Sequence, residues 1–337
     1  MTVAKENYNL QKKILSITVL LFLIKITAWY LTNSVAILTD ALEYTINVIS
    51  GFVGLYSLYL SALPRDQNHP YGHGKVEFLS AAIEGTLMVV SSFLIIYEAI
   101  DNLRHPHQIS KLDYGIFLVA FTALINYGMG YYAVLKGTKS SSLALIATGK
   151  HLQSDTYATV GIITGLILIF FLKYTWIDSI VAFVFALIII VSGYRILRSS
   201  IAGIMDEADD DLLEKVIALF QSSRRENWID LHNLRIIKYG GMLHLDCHLT
   251  VPWYLNINEA HLEIDELSKL VVNNFGESIE LFVHTDGCLD FSCAICTKTD
   301  CLVRQHAFVK KIDWTVENVS SNIKHRVNLQ SDNKRVK

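Results

Sequence analysis

The sequence predicts an α-helical membrane protein of six transmembrane helices, followed by a small soluble α/β domain of open-faced α-β-β-α-β order. Three observations lead there. Apolar side chains make up 52% of the 337 residues, and the mean hydropathy of +0.35 is high for a water-soluble chain. Six stretches reach the roughly 20 apolar residues that a helical span needs. From about Met205 onward the composition becomes that of a soluble domain in which helix and strand signals alternate. The expected organisation is therefore residues 1–205 in the membrane, 206–287 as the folded soluble domain, and 288–337 as a Cys-rich, polar tail.

The six spans fall at about 13–32, 34–60, 78–103, 112–135, 146–172 and 176–198. Residues 1–11 are polar and no small-residue cleavage site follows the first apolar run, so a cleavable signal peptide is not expected. One side of the membrane would carry Lys5, Lys12, Lys13, Arg65, Lys75, Lys136, Lys139, Lys150, Arg195 and Arg198. The other would carry Arg104, Lys111 and Lys173. This asymmetry predicts that both termini and the soluble domain are cytoplasmic. The net charge of −3 gives no argument for a nucleic-acid partner.

Within the first span, Lys25 stands about midway, where a lysine either snorkels to an interface or pairs inside the bundle. The second span opens SVAILTDALEYTIN. Asp40, Glu43 and Asn47 recur at i, i+3 and i+7, so a helix presents them on one face, with Tyr44 beside them. Acidic groups at membrane depth are costly unless they pair, face water or hold a cation. The fifth span brings His151 and Asp155 at i and i+4. Two ligand-type residues from each of two helices make a four-coordinate metal site, and the chain reads as a transporter of divalent metal ions.

The remaining polar positions are read in order. The loop PRDQNHPYGHGK holds Asp66, His69 and His73, either a small-ion site or a solvated loop. Glu77 and Glu84, one heptad apart in the third span, fit a water-filled cytoplasmic vestibule. Glu98, Asp101 and Arg104 close that helix, Asn126 in the fourth span reads as an interhelical hydrogen bond, and Asp178 opens the sixth, where a helix N-terminus favours an anion.

The soluble domain reads as a helix at 206–221, strands at 231–238 and Met242–Val251 joined through Gly240-Gly241, a helix at 258–275 capped by Asn258, and a strand at 278–284. His232, His244, His248, His261, His284 and Asp286 cluster in this short stretch, as metal ligands or as surface histidines. Cys288, Cys293, Cys296 and Cys301 follow, the inner pair spaced CxxC with His306 beyond. On a reducing side these are metal ligands, a redox pair or inert thiols rather than disulfides. Residues from about 316 read as a mobile polar end. No HExxH and no Ser/His or paired-Asp constellation lies in the spans, so an intramembrane enzyme finds no support.

These motifs, in this order, resemble the cation diffusion facilitator family over nearly the whole chain up to about Cys288. Ser34, Ala36, Ile37, Leu38, Thr39, Asp40, Ala41 and Leu42 precede the ligand positions Glu43 and Asn47. His151 and Asp155 match the fifth-helix His-x-x-x-Asp. Asp66, His69, Pro70, Gly72, His73, Gly74 and Lys75 match the loop, and His232, Arg235, His248, His261, His284 and Asp286 match the metallochaperone-like domain.

The resemblance implies a homodimer in a cell (inner) membrane that exports divalent cations such as zinc, iron, manganese or cobalt in exchange for protons. It implies a transport site of Glu43, Asn47, His151 and Asp155, lined by Asp40 and Tyr44. It further implies a loop site of Asp66, His69 and His73, and regulatory ions at His232, His248, His261, His284 and Asp286 in a dimerising cytoplasmic domain. Lys75 and Asp206 stand at the family's inter-subunit charge interlock. The chain departs from the family's usual His or Asp at position 43 and Asp at position 47. A neutral amide at 47 shifts preference from zinc toward harder ions. It also leaves open a second reading, a membrane-anchored metal sensor or scaffold that does not transport. The Cys-rich tail lies outside the common pattern.

Overall fold

A computed structural model describes the chain except residues 1–2, 33–34, 105–112, 173–175, 277–278 and 328–337. Within helices it leaves out the side chains of residues 28–29, 31–32, 35–43, 98, 102–103, 113–119, 158, 162–163, 165–172, 176–179 and 181. The chain divides into two compact units, Met1–Met205 with Tyr239–Gly241, and Asp206–Lys238 with Met242–Lys337.

The first unit is helical: α1 Val3–Thr32, α2 Val35–Ser61, α3 Val76–Arg104, α4 Asp113–Lys139, α5 Leu143–Leu172 and α6 Trp176–Ile204. Each runs 27 to 30 residues, about 40–45 Å at 1.5 Å per residue. Among the described residues, Val76–Asp101 and Ala182–Ile204 are long and apolar enough to cross a membrane. Helix α1 starts well before the expected residue 13, because its first turns carry good helix formers and pack Asn7 and Gln11 inward, 5% and 0% exposed.

Glycines set how closely these helices approach. A Cβ on Gly85 of α3 would stand 2.9 Å from the carbonyl oxygen of Gly193 in α6, and a Cβ on Gly193 would stand 2.9 Å from that of Gly85. Gly130 of α4 and Gly149 of α5 are related in the same way at 2.7 Å. Helices in lipid gain little from apolar burial, so small residues that admit backbone contact supply the packing. Lys25 is 4% exposed and its ammonium stands 4.3 Å above the ring of Tyr44, so it pairs inside the bundle rather than snorkelling.

The second unit runs α7 Asp210–Ser222, β1 Asp230–Tyr239, β2 Met242–Val251, α8 Ile257–Phe275, β3 Ile279–Gly287, a 3-10 turn at Asp290–Ala294 and α9 Val316–Val319. The sheet order is β1-β2-β3, with β2 and β3 parallel. Gly240 takes φ +60° in the β1–β2 turn, which a residue without Cβ adopts at no steric cost.

Two helix starts differ from expectation. Asp209 caps α7 by accepting from the Leu212 N–H at 3.0 Å, so the helix begins at 210 rather than 206. Asn256, not Asn258, caps α8, in a capping box with Glu259. Strand β3 runs to Gly287, past the expected end at 284, because its pairing with β2 continues through Thr250–Asp286. That extension fixes Asp286 in the sheet.

The core gathers Phe220, Trp228, Leu231, Leu234, Leu245, Leu249, Leu267 and Val271. Trp314, 4% exposed, and Val319, 0% exposed and within the expected loose end, both belong to it. The segment to residue 327 is therefore packed rather than mobile. Burying an aromatic and a valine is worth roughly 2–3 kcal/mol each, ample to order a short polar segment. The Arg224 guanidinium lies 4.2 Å over the Trp314 ring and donates to the Ile312 carbonyl at 2.7 Å.

Candidate metal centres

Helices α2 and α5 bring Asn47, His151 and Asp155 together in the first unit. Asn47 Nδ2 donates to Asp155 Oδ2 at 2.5 Å, and His151 Nε2 lies 3.0 Å from Asn47 Oδ1. The amide must turn its NH₂ to the carboxylate, since two oxygens would repel. Its oxygen then faces the imidazole, which makes Nε2 the protonated nitrogen and the donor. His151 Nε2 stands 3.9 Å from Asp155 Oδ1. His151 Nδ1 is buried and makes no hydrogen bond. The amide thus closes the site on itself, and a cation entering between these residues has to open both amide contacts.

A cavity of about 10 Å³, at the lower bound of room for one water, adjoins the site and is lined in part by Asn47, Ser50, Gly51, Thr148 and His151. The side chains of Asp40 and Glu43 lie outside the described residues, as do those of Glu98 and Asp178. Tyr44 is buried, and its hydroxyl donates to Asn126 of α4 at 2.8 Å, the interhelical bond expected of Asn126. Glu77 and Glu84 do not face an open vestibule. Glu77 is 4% exposed and accepts from Ser61 at 2.7 Å and from Ser142, while Glu84 is 0% exposed and accepts from Thr148 at 2.8 Å.

The loop between α2 and α3 gathers its three candidates. One ligand atom each of Asp66, His69 and His73 lies within 4.8 Å of the others. Asp66 Oδ1 accepts from the backbone N–H of His69 at 2.7 Å and of Asn68 at 2.9 Å, and the His69 and His73 rings are 4.3 Å apart. The His69 backbone bond, against a smaller cost of burial, holds the Asp66 carboxyl below its ordinary range. It is therefore ionised and preset for a cation.

In the second unit His232, His248 and Asp286 form a like cluster, their ligand atoms within 4.8 Å. Asp286 Oδ2 is 3.4 Å from His232 Nε2 and 3.5 Å from His248 Nδ1. The parallel register pairs His248 with His284 and places Asp286 two residues on. The ring of His284 lies 4.6 Å from that of His248, and its Nε2 is 3.8 Å from Asp286 Oδ1. His261 stands elsewhere, exposed on α8, 3.7 Å from Asp265. Burial pushes the His232 imidazole below its ordinary value, and the carboxylates of Asp230 and Asp286 pull it back. It is held neutral, the form that ligates a metal.

Sequence reasoning missed the groups around this cluster. Asp230 stands 3.6 Å from His232 Nδ1 and accepts the His325 N–H at 3.0 Å, and Lys324 Nζ is 3.2 Å from Asp286 Oδ1. The third strand partner His244 pairs with Glu280 at 3.1 Å, away from the cluster.

The four tail cysteines are free thiols near one another, and burial with the neighbouring Cys296, Cys293 and Cys301 pushes the Cys288 thiol up. Among the described residues they form no group of three ligand atoms within 4.8 Å. Lys75 is half-buried and Asp206 exposed, with φ +56°.

Known proteins resemble this chain over most of its length. The family described as the cation efflux transmembrane domain matches residues 13–205, and the one described as the cation efflux protein cytoplasmic domain matches 208–288. A cadmium, cobalt and zinc/H(+)-K(+) antiporter of Bacillus subtilis is 28% identical over 76% of this chain and 83% of its own. The manganese efflux system protein MneP of the same organism is 25% identical over 84% and 98%. The cation-efflux pump FieF of Shewanella oneidensis is 23% identical over 79% and 89%.

Proposed function

The chain belongs to the cation efflux family, and on that premise we propose that it exports a divalent transition-metal ion from the cytoplasm in exchange for protons. It is a membrane transporter rather than an enzyme. The observation that carries the finer reading is the contact set of Asn47, His151 and Asp155 across α2 and α5. With Glu43 as fourth ligand, two carboxylates balance the charge of the ion and a neutral imidazole completes the shell.

The cycle follows from that chemistry. From the cytoplasmic side the ion displaces the Asn47 bonds to His151 and Asp155. Rocking of six membrane-spanning helices opens the loaded site outward, where protons compete for the same imidazole and carboxylates. The amide at position 47 favours harder cations such as manganese, iron or cobalt over zinc. Relatives named for manganese and for cadmium, cobalt and zinc support a substrate in this class. The cytoplasmic domain joins two copies into a homodimer in the inner membrane, both termini in the cytoplasm, with Lys75 and Asp206 as the inter-subunit charge pair. Ions at the loop and at the His232 cluster report cytoplasmic metal and bias the dimer toward transport. His261 and the tail cysteines complete that regulatory set only if metal draws them in.

The test is metal flux in proteoliposomes under an imposed pH gradient. Transport of manganese or cobalt that collapses with the gradient is the expected result. The neutral amide at position 47, where a carboxylate is usual, favours the second reading, a sensor that binds without transporting. Binding with no flux in either direction would establish that reading instead.

A further inference from the structure

Below the transport site a second set of buried polar groups remains without a role. Glu84 of α3 is 0% exposed, and its Oε1 accepts from Thr148 at 2.8 Å. Ser50 reaches toward the same carboxylate, yet Glu84 Oε2 makes no hydrogen bond. Gln11 of α1 is 0% exposed too, and its Oε1 also makes none. Its Nε2 makes two long contacts, 3.3 Å to Thr148 Oγ1 and 3.4 Å to the Gly51 carbonyl oxygen. Both distances lie beyond the usual range for such bonds, so little holds the amide in this orientation. Gly54 of α2 packs directly against this polar group. A Cβ there would lie 2.8 Å from Gln11 Nε2, 3.2 Å from Glu84 Oε1 and 3.2 Å from Thr148 Oγ1.

These groups continue the transport site. Thr148 is one turn before His151 on α5, and Ser50, Gly51 and Gly54 follow Asn47 on the same face of α2. Thr148 therefore belongs both to the wall of the cavity beside Asn47 and His151 and to the hydrogen-bonded group at Glu84. A fully buried carboxylate and amide, each with an idle oxygen, are costly in a bundle core unless something else occupies them.

We propose that Glu84, Gln11 and Thr148 form a staging position for the divalent cation, adjoining the transport site on the Glu77 side. The proposal rests on the transport-site reading given above. Turning the Gln11 amide over would supply its oxygen, so that a carboxylate, an amide oxygen and a hydroxyl converge beside Gly54. An all-oxygen set without imidazole or thiolate suits manganese and other hard ions and selects against zinc before the ion reaches His151. The step is ligand exchange alone. The ion leaves these oxygens as it gains Asn47, His151 and Asp155.

The experiment counts manganese bound to purified full-length dimer in detergent, from the loss of the free-ion paramagnetic resonance signal. It is done in an Asp155→Ala background, which removes the transport site while leaving the loop and soluble-domain clusters in place. Glu84→Gln, isosteric and neutral, is expected to lower the count by one ion per protomer. Gly54→Ala, whose methyl group would press on Gln11, Glu84 and Thr148, is expected to do the same by a different route. An unchanged count in both variants overturns the proposal. So does a retained count together with a flattened pH dependence of flux in Glu84→Gln alone, which would make Glu84 a proton carrier. If Asp155→Ala by itself transports at the wild-type rate, the transport-site reading fails, and the manganese count still decides Glu84.

Discussion

The intramembrane cluster and the soluble-domain cluster use the same side-chain types in opposite ways. At His232, His248 and Asp286 one carboxylate oxygen sits between two imidazoles, 3.4 Å and 3.5 Å away, with no protein group inserted. At His151 and Asp155 the direct approach is 3.9 Å, and Asn47 occupies the gap, bonded to both. The first arrangement leaves an anion waiting for a cation, and Lys324 answers part of its charge at 3.2 Å. The second pairs its carboxylate and the Nε2 of its imidazole through the amide while empty. That difference suits their surroundings: a carboxylate whose charge is only partly answered is tolerable beside water but costly among membrane helices. A transporter must also return empty, and a site that closes on its own hydrogen bonds has a stable empty state.

The comparison can be broken at several points. Removing a proposed intramembrane ligand is expected to have the largest effect. His151→Ala is expected to cut flux by about 100-fold or more, beyond the 10–100-fold typical of losing a group that merely supports a ligand. Flux within tenfold of wild type in proteoliposomes would show that the imidazole is not a ligand. Asn47→Asp removes the self-closing amide and adds charge. Competition transport assays should then show selectivity moving toward zinc by on the order of tenfold, and an unchanged preference would detach Asn47 from selection.

Smaller effects lie in the soluble domain. Lys324→Ala deletes the tethered cation beside Asp286, so calorimetry should show metal binding there tightening by about threefold to fivefold, the scale of a partly exposed ion pair. Weaker binding would mean that Lys324 supports the cluster. Asp209→Ala removes the cap of α7 and should cost about 1 kcal/mol in denaturant unfolding of the soluble-domain transition. Burial works against the Asp209 anion, but the Lys238 and Leu212 bonds with the nearby lysine charges hold its carboxyl below the ordinary carboxylate range. A depressed folded value means that its contribution is complete above about pH 4 and lost as pH falls through that folded value. The variant should lack that part of the acid loss, and an identical acid limb would deny Asp209 this role.

Much of this was legible because membrane depth makes polar residues conspicuous. Asn47, His151 and Asp155 stood out by residue type and helical spacing, and the loop cluster by its density of ligands. What spacing could not give was the amide's bridging role, which depends on two helices meeting within hydrogen-bond distance. Gln11 was hidden because it lies in a polar run that reads as pre-membrane sequence, although α1 begins at Val3. Asp230, Lys324 and His325 were hidden for another reason. The segment after the cysteines reads as polar, and only the burial of Trp314 and Val319 carries it back onto the domain. His261 shows the reverse error: a histidine in the right neighbourhood of sequence stands exposed on α8, away from the cluster.

The central claim is that a single dehydrated ion crosses the bilayer between α2 and α5. Its most direct test is manganese flux driven by a pH gradient in vesicles carrying Asp155→Ala, with insertion and dimer content matched to wild type. The account predicts no flux above protein-free vesicles. Flux at the wild-type rate would contradict it.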